Sequence, residues 1–350
     1  MSIVFAEGLD RQADGRTISN NAGLTGKAVD IVCVNLSNQP PVKVVAFNNR
    51  NWLTGISTTA SNQVSSVSNS YLDLKRLITA IDDTRRSAPG LPESPLAKIS
   101  VSWKLGWASQ NIDSTNGQYP ASIGTVNMTW VAPASGPVRT RGYVNCMMVY
   151  DRATGGTEFF VDGVLTNSQY TGRFESMRIN LLGMRLTGLT AATSYVTDIV
   201  VVYDDGIHPA KVPIEVVVRD LALDKVTPAH PDAVIVGGID VTTAEVLSGV
   251  VGTTLVGDGC NEAYKPKAAQ AKLGTGVIIG VAVDGRRNPG TPIPADVETK
   301  ITTPGGATTL LERPTTNAIS LQQTIRSLPK PATVKVITDG AVVKLTAKSR

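Results

Sequence analysis

Apolar positions along this chain fall in short runs rather than long stripes. Segments rich in Val, Ile and Tyr recur at residues 29–36, 42–47, 99–105, 143–150, 157–161, 196–203, 212–219, 277–283, 333–338 and 341–346, with clusters of Gly, Pro, Asn, Asp and Ser between them. β-Branched and aromatic side chains suit a pleated, half-buried surface, and strands separated by about 8–12 residues with turn signals between them mark a sandwich or barrel. Two of the breaks are Asp-Gly pairs. Asp162-Gly163 lies between Glu158-Phe159-Phe160-Val161 and Val164-Leu165, and Asp339-Gly340 lies between Val334-Lys335-Val336-Ile337 and Ala341-Val342-Val343-Lys344-Leu345. A type I′ turn needs positive φ at both central residues, which Asp and Gly tolerate, so both pairs predict tight hairpins.

One segment has helical spacing. Leu74, Leu77, Ile78 and Ile81 repeat at i, i+3, i+4 and i+7, Ser70 and Asp73 resemble a capping box, and Arg85-Arg86 sit where a helix end favours cations before Ala88-Pro89-Gly90 stops it. The pattern predicts an amphipathic helix over residues 70–86, preceded by an irregular Ser/Thr/Asn-rich segment at 57–70. Ile319, Gln322, Gln323 and Leu328, ended by Pro329, repeat the spacing too weakly to assign a second helix.

The texture of the chain changes near residues 222–233. Asp224-Lys225-Val226-Thr227-Pro228-Ala229-His230-Pro231 reads as a linker, which divides the chain into a domain at 1–222, a linker at 223–232 and a domain at 233–350. The last part is rich in Gly, Ala, Thr and Val and holds Tyr264 as its one aromatic residue. A core without large rings buries less area per residue, so this segment is expected to be stabilised by contacts beyond itself.

Composition narrows the chemistry. The 350 residues are 42% hydrophobic and 18% charged with a net charge of +4, which argues against wholesale disorder and against the basic stripe that nucleic acid requires. No apolar run is long enough for a membrane helix. His208 and His230 each precede a proline and belong to loops, and Cys33, Cys146 and Cys260 lie more than a hundred residues apart with no C-x-x-C pair. The cysteines read as small buried hydrophobes of a protein kept in a reducing compartment, and Met1–Gly8 shows no secretory signal pattern.

Each apparent motif has a plainer reading. Gly274-x-Gly276-x-x-x-Gly280 precedes a strand rather than opening a helix, so it is a turn and not a dinucleotide loop, and Gly23-x-x-Gly26-Lys27 lacks the spacing of a phosphate loop. Asp204-Asp205-Gly206 reads as a turn. Adjacent strand residues point to opposite faces, so the two aspartates are not a catalytic pair, and a loop calcium site is the alternative. Arg85-Arg86, Arg139-x-Arg141 and Arg286-Arg287 are scattered surface pairs. Trp52, Trp103, Trp107 and Trp130 are mainly core residues, and Trp52 and Trp107 are the candidates for a glycan or partner contact.

Residues 141–220 carry a family resemblance. Tyr143-Val144-Asn145-Cys146-Met147-Met148-Val149-Tyr150-Asp151, followed by the Phe159-x-Val161-Asp162-Gly163 hairpin, resembles the paired strands of concanavalin A-like, laminin G-like domains, and Tyr195-Val196-Thr197-Asp198-Ile199-Val200-Val201-Val202-Tyr203 resembles their closing strand. The order of segments is similar to that of virion proteins of tailed bacteriophages. The Glu-x-Asp-x-x-Glu strand of the sandwich glycosidases is absent from the sequence.

The resemblance implies an all-β concanavalin A-like jelly-roll sandwich with one helical insertion, followed by a smaller C-terminal β domain. It implies a non-enzymatic virion structural protein of a tail, baseplate or fibre, which forms homo-oligomers and packs on other virion proteins after assembly in the host cytoplasm. Capsid decoration, or a lectin-like module for a host-surface glycan, is the alternative. No catalytic residue and no cofactor are expected.

Overall fold

In the computed structural model the chain divides into two compact units, Met1–Val218 and Arg219–Arg350. The structure describes residues 2–10, 12–25, 29–35, 40–47, 50–57, 70–86, 98–107, 112–115, 117–172, 176–181, 192–203 and 218 of the first unit, and 223–228, 261–266, 277–285, 295–303, 306–312, 322–333 and 342–349 of the second.

The first unit runs through strands β1 (Ser2–Glu7), β2 (Ala22–Gly23), β3 (Val32–Val34), β4 (Lys43–Phe47), β5 (Arg50–Ser57) and β6 (Tyr71–Asp73) to helix α1 (Lys75–Arg86). It continues with β7 (Lys98–Trp107), β8 (Gln118–Ile123), β9 (Val126–Trp130), α2 (Pro137–Arg141), β10 (Tyr143–Asp151), β11 (Gly156–Val161), β12 (Val164–Tyr170), β13 (Met177–Asn180) and β14 (Ala192–Tyr203). All pairings are antiparallel. The larger sheet has the order β12-β11-β10-β7-β14-β5-β4 with β1 also on β14, and the smaller has the order β2-β3-β6-β13-β8-β9. These two sheets form the expected all-β sandwich.

Alternation along each strand builds the core between the sheets. On β7, Ile99, Val101, Trp103, Leu105 and Trp107 point inward, and they share one cluster with Val144, Cys146 and Met148 of β10 and with Cys33, Leu72, Ala121, Ile123, Met128 and Ile179 of the smaller sheet. Complete burial of a Leu- or Phe-sized side chain contributes about 1.5–3 kcal/mol before the entropy of ordering is subtracted.

The helix is shorter than its sequence pattern. Tyr71–Asp73 forms β6 between β3 and β13, with Leu72 opposite Cys33 and Ile179. Burial of Leu72 in that ladder prevails over one more helical turn. Asp73 still acts at the helix start, because its Oδ1 accepts from the Lys75 backbone N–H at 2.8 Å, while Leu74, Leu77 and Ile78 pack into the core. The Arg152 guanidinium holds Asp82 of α1 through two bonds of 3.0 and 2.8 Å. The short helix α2, which the apolar pattern did not reveal, has Pro137 in its first turn and ends at Gly142 with φ of 75°. The segment expected to be irregular lies largely outside the described residues.

β14 serves two neighbours on one edge. Its residues 192–196 pair with β5 and residues 199–203 pair with β1. The register against β7 shifts between Thr197 and Val200, which is where one partner gives way to the other. At this handover Thr197 Oγ1 bonds the carbonyls of Gly8 and Asn51, at 3.1 and 3.0 Å.

The second unit contains β15 (Leu223–Pro228), β16 (Asn261–Pro266), β17 (Val277–Gly285), β18 (Ala295–Thr303), β19 (Gly306–Glu312), β20 (Gln322–Thr333) and β21 (Val342–Ser349). One sheet has the order β15-β16-β21-β18-β19, and β17 pairs with β20. Residues 223–228 are a strand rather than linker, and the unit begins at Arg219; β15 tolerates Pro228 because it is an edge strand. The weak helical spacing at 319–328 lies in part on β20, where the register jumps from Ala332 to Ser327 and so leaves Pro329 and Pro331 outside the ladder. Asp339 and Gly340 lie outside the described residues, and Val342–Ser349 pairs with β16 and β18.

Candidate functional site

The face of the larger sheet turned away from the core carries the aromatic and charged chemistry of the first unit. On β7 the residues between the inward ones are Ser100, Ser102, Lys104 and Gly106. Register aligns them with their neighbours: Gly106 stands between Tyr195 of β14 and Tyr143 of β10, and Lys104 stands between Thr197 and Asn145. On β5, Arg50, Trp52 and Thr54 take this face while Leu53 joins the core.

At one end of the row the rings of Phe47 and Tyr195 stack, with centroids 5.0 Å apart and planes 8° from parallel. Trp52 meets both edge-on at 6.4 Å, and Arg50 lies over the indole at 5.8 Å. Phe47 and Tyr195 are half-buried, and burial pushes the Tyr195 phenol up. At the other end the half-buried Tyr143 ring has Lys104 Nζ at 4.9 Å and the Arg141 guanidinium at 4.5 Å from its centroid. Between them the Trp52 ring lies close over Gly106, where a β-carbon would come within 3.2 Å of it.

Two aspartates organise the cations. Asp198 is fully buried in left-handed backbone with φ of 54°, at the handover on β14. Its Oδ1 accepts from Arg50 and, at 3.1 Å, from the Val218 N–H, and Lys104 Nζ stands 3.7 Å from Oδ2. Burying a lone carboxylate is costly, and the guanidinium and ammonium together offset that cost. Asp162 occupies the β11–β12 turn. Its Oδ1 accepts from Arg141 at 2.6 Å and from the Asn145 backbone and side-chain nitrogens at 2.9 and 3.1 Å.

Several residues singled out in the sequence can now be located. Asp162 and Gly163, with φ of 49° and 79°, make the expected two-residue turn, with Val161 opposite Val164. Trp52 and Trp107 are corrected as contact residues. They are 3% and 2% exposed, Trp107 is in the core, and Trp52 packs edge-on against Phe47 and Tyr195 with its ring over Gly106 and its indole N–H on the Phe47 carbonyl at 2.9 Å. Their size favours burial, which removes both from a surface where a ligand could stack. Cys33 and Cys146 are buried thiols. Desolvation pushes Cys33 up to about 12, and desolvation with the nearby Asp162 charge pushes Cys146 well up.

His208, His230, Cys260, Asp204 and Asp205 lie outside the described residues, and among the described residues no group of three or more His, Cys, Asp or Glu side chains could hold a metal ion. The sequence places Tyr143 and Tyr195 on strands without a site role and gives no signal at Phe47 or Arg50. The signal available was Asp198, a charge inside the apolar run Val196-Thr197-Asp198-Ile199-Val200, which demands a buried partner.

No family model and no curated protein matches this chain. Among solved structures, it is similar to the binding domain of botulinum neurotoxin serotype D, with 9% identity over 100% of this chain and 96% of that one and a TM-score of 0.30. A family 16 endo-glucanase from Bacteroides ovatus is 12% identical over 57% of this chain and 100% of its own, with a TM-score of 0.27. A sialidase is 10% identical over 54% of this chain with a TM-score of 0.28, and the match spans 19% of the sialidase's length. The sandwich described above rests on strand pairing and not on these likenesses.

Proposed function

We propose that the first unit is a non-enzymatic recognition module that binds an extended glycan across the outer face of its larger sheet. The observation that carries this reading is the row Tyr195-Gly106-Tyr143, with Phe47 stacked on Tyr195. Neighbouring strands are about 4.8 Å apart, so the two tyrosines stand roughly 10 Å apart across Gly106, against which the Trp52 ring lies. Aromatic rings offer the apolar faces of sugars a surface, and their hydroxyls offer hydrogen bonds. Arg141, whose side chain is 31% exposed beside Tyr143, is suited to a hydroxyl or carboxylate group of the same ligand. The engagement of Asp198 with Arg50 and of Asp162 with Arg141 supports a binding role over hydrolysis, which needs an acid and a base facing across a cleft.

An array of neutral and carboxylated oligosaccharides tests the reading. The wild type binds at least one class and Tyr195→Ala/Tyr143→Ala loses that signal; an array without signal, or one unchanged in the variant, rejects the proposal. The finer assignment is to a bacteriophage virion, as a tail, baseplate, fibre or capsid-surface protein, and the resemblance of residues 141–220 supports it. Co-sedimentation of the protein with phage particles is the corresponding measurement, and a protein that stays in the supernatant counts against it.

A further inference from the structure

The two ends of the Tyr195-Gly106-Tyr143 row differ in the cation each offers. At the Tyr195 end the Arg50 side chain is 10% exposed and bonds the buried Asp198, so its charge is spent inward and this end presents chiefly the Phe47–Tyr195 stack. At the Tyr143 end the Arg141 side chain is 31% exposed, and its guanidinium lies 4.5 Å from the ring centroid.

Arg141 is also held in place by the fold. It is the last residue of α2, and Gly142 with φ of 75° turns the chain directly into β10. Its Nε donates to the Tyr143 carbonyl at 2.9 Å and its Nη2 to Asp162 Oδ1 at 2.6 Å. Asp162 is itself fixed, since the same oxygen accepts from the Asn145 backbone and side-chain nitrogens. Among the described residues Nη1 makes no hydrogen bond, so Nη1 and the second proton of Nη2 remain as a fork. A guanidinium fixed in this way has already lost much of its rotamer freedom, and a ligand that meets the fork orders little more. Lys104 Nζ, 4.9 Å from the centroid of the same ring, places a second cation beside it.

Resting on the glycan-binding reading above, we infer that the outer face takes an acidic glycan and takes it in one direction. A neutral sugar unit lies on the Phe47–Tyr195 stack, and a uronic acid unit sets its carboxylate on Arg141 beside Tyr143. The fork of Arg141 matches the two oxygens of a carboxylate, and such charge-assisted bonds are about twice as strong as those a hydroxyl would make in the same place. The carboxylate already present, Asp162, uses one proton of Nη2 and leaves the fork open to a second. A ligand turned end for end would carry its charge to the Tyr195 stack, where Arg50 is engaged by Asp198.

The oligosaccharide array gives the first test, with the full chain as probe. Signal falls on members that carry a uronic acid. Signal confined to neutral members overturns the inference and leaves glycan binding in place, whereas an array without signal rejects the glycan reading itself. Calorimetry then compares the strongest uronic acid-bearing oligosaccharide with the same compound after its carboxyl groups are reduced to primary alcohols. The wild type binds the reduced form about tenfold more weakly or worse. Arg141→Gln abolishes this difference by weakening the carboxylated form, and Arg141→Lys, which keeps the charge but not the fork, retains part of it. Tyr195→Ala weakens both forms and leaves their ratio unchanged. A difference that persists in Arg141→Gln, or a ratio that collapses in Tyr195→Ala, overturns the inference. Loss of both forms in Arg141→Gln overturns it as well, because Arg141 then serves the fold rather than the carboxylate.

Discussion

The two units are built from the same antiparallel ladders but with different side chains. Every Trp and Phe of the chain lies before Arg219, while Tyr264 is the one aromatic residue after it. In the first unit, large inward residues such as Trp103, Trp107 and Phe159 fill the space between two sheets. In the second, the sequence of β18 alternates Ala295, Val297 and Ile301 with Asp296, Glu298 and Lys300, and Lys300 and Thr302 are exposed. Alternation alone is enough to specify a strand, but depth of burial and a chemically distinctive face need large rings and buried charge. The first unit has both, which is why the candidate site lies there.

This contrast can be broken experimentally, because all four tryptophans report on the first unit alone. The largest effect expected is for Asp198→Ala, which strands Arg50 and Lys104 without their buried partner. It should lower the stability of the first unit by about 3–5 kcal/mol, read as a shift of the fluorescence-detected denaturation midpoint. A midpoint within error of wild type would show that the buried cluster does not hold β5, β7 and β14 together.

Next in size is a pH effect. The Cys33 thiol ionises near 9.0 when unfolded and near 12 when folded, so between these values the folded state holds the extra proton. Stability of the first unit is therefore intact below about 9 and falls as pH rises above it, by about 1.4 kcal/mol per pH unit. Denaturation of wild type and Cys33→Ala at pH 8 and pH 10 isolates this term, and an equal decline in both would remove it.

A smaller change, about 1 kcal/mol, is expected for Gly163→Ala, because alanine must adopt the left-handed backbone of the β11–β12 turn. The smallest belongs to the exposed edge: Val164→Lys/Tyr170→Lys should leave the unfolding midpoint of the first unit within about 0.5 kcal/mol of wild type. That result would sharpen the comparison by showing that the exposed residues of β12 add little to folding.

Much of this architecture was legible from alternation. The strands around Val101, Val144, Phe159 and Val200 could be read from their apolar runs, and the Asp162-Gly163 turn from its φ requirement. β8 was not legible, because Pro120 interrupts its pattern; the ladder accommodates it by a register shift between Gln118 and Ala121. β6 was hidden because Leu72 and Leu74 serve a strand and a helix in immediate succession. The outer face was harder still. Tyr143, Gly106 and Tyr195 are distant in sequence and become neighbours only through strand order, so single-strand periodicity could not find them. Trp52 misled for the opposite reason: its residue type suits a binding platform, but its packing against two other rings buries it.

The most direct test of the central claim is a titration of an array-positive oligosaccharide into the protein, followed by tryptophan emission. Trp52 meets the Phe47–Tyr195 stack edge-on, so occupation of the outer face should change its emission saturably. Tyr195→Ala and Tyr143→Ala should each weaken binding by about tenfold or more, the scale of one lost aromatic contact, while Trp52→Phe removes the optical signal without abolishing binding measured by calorimetry. Affinity unchanged in both tyrosine variants would contradict the assignment of the outer face.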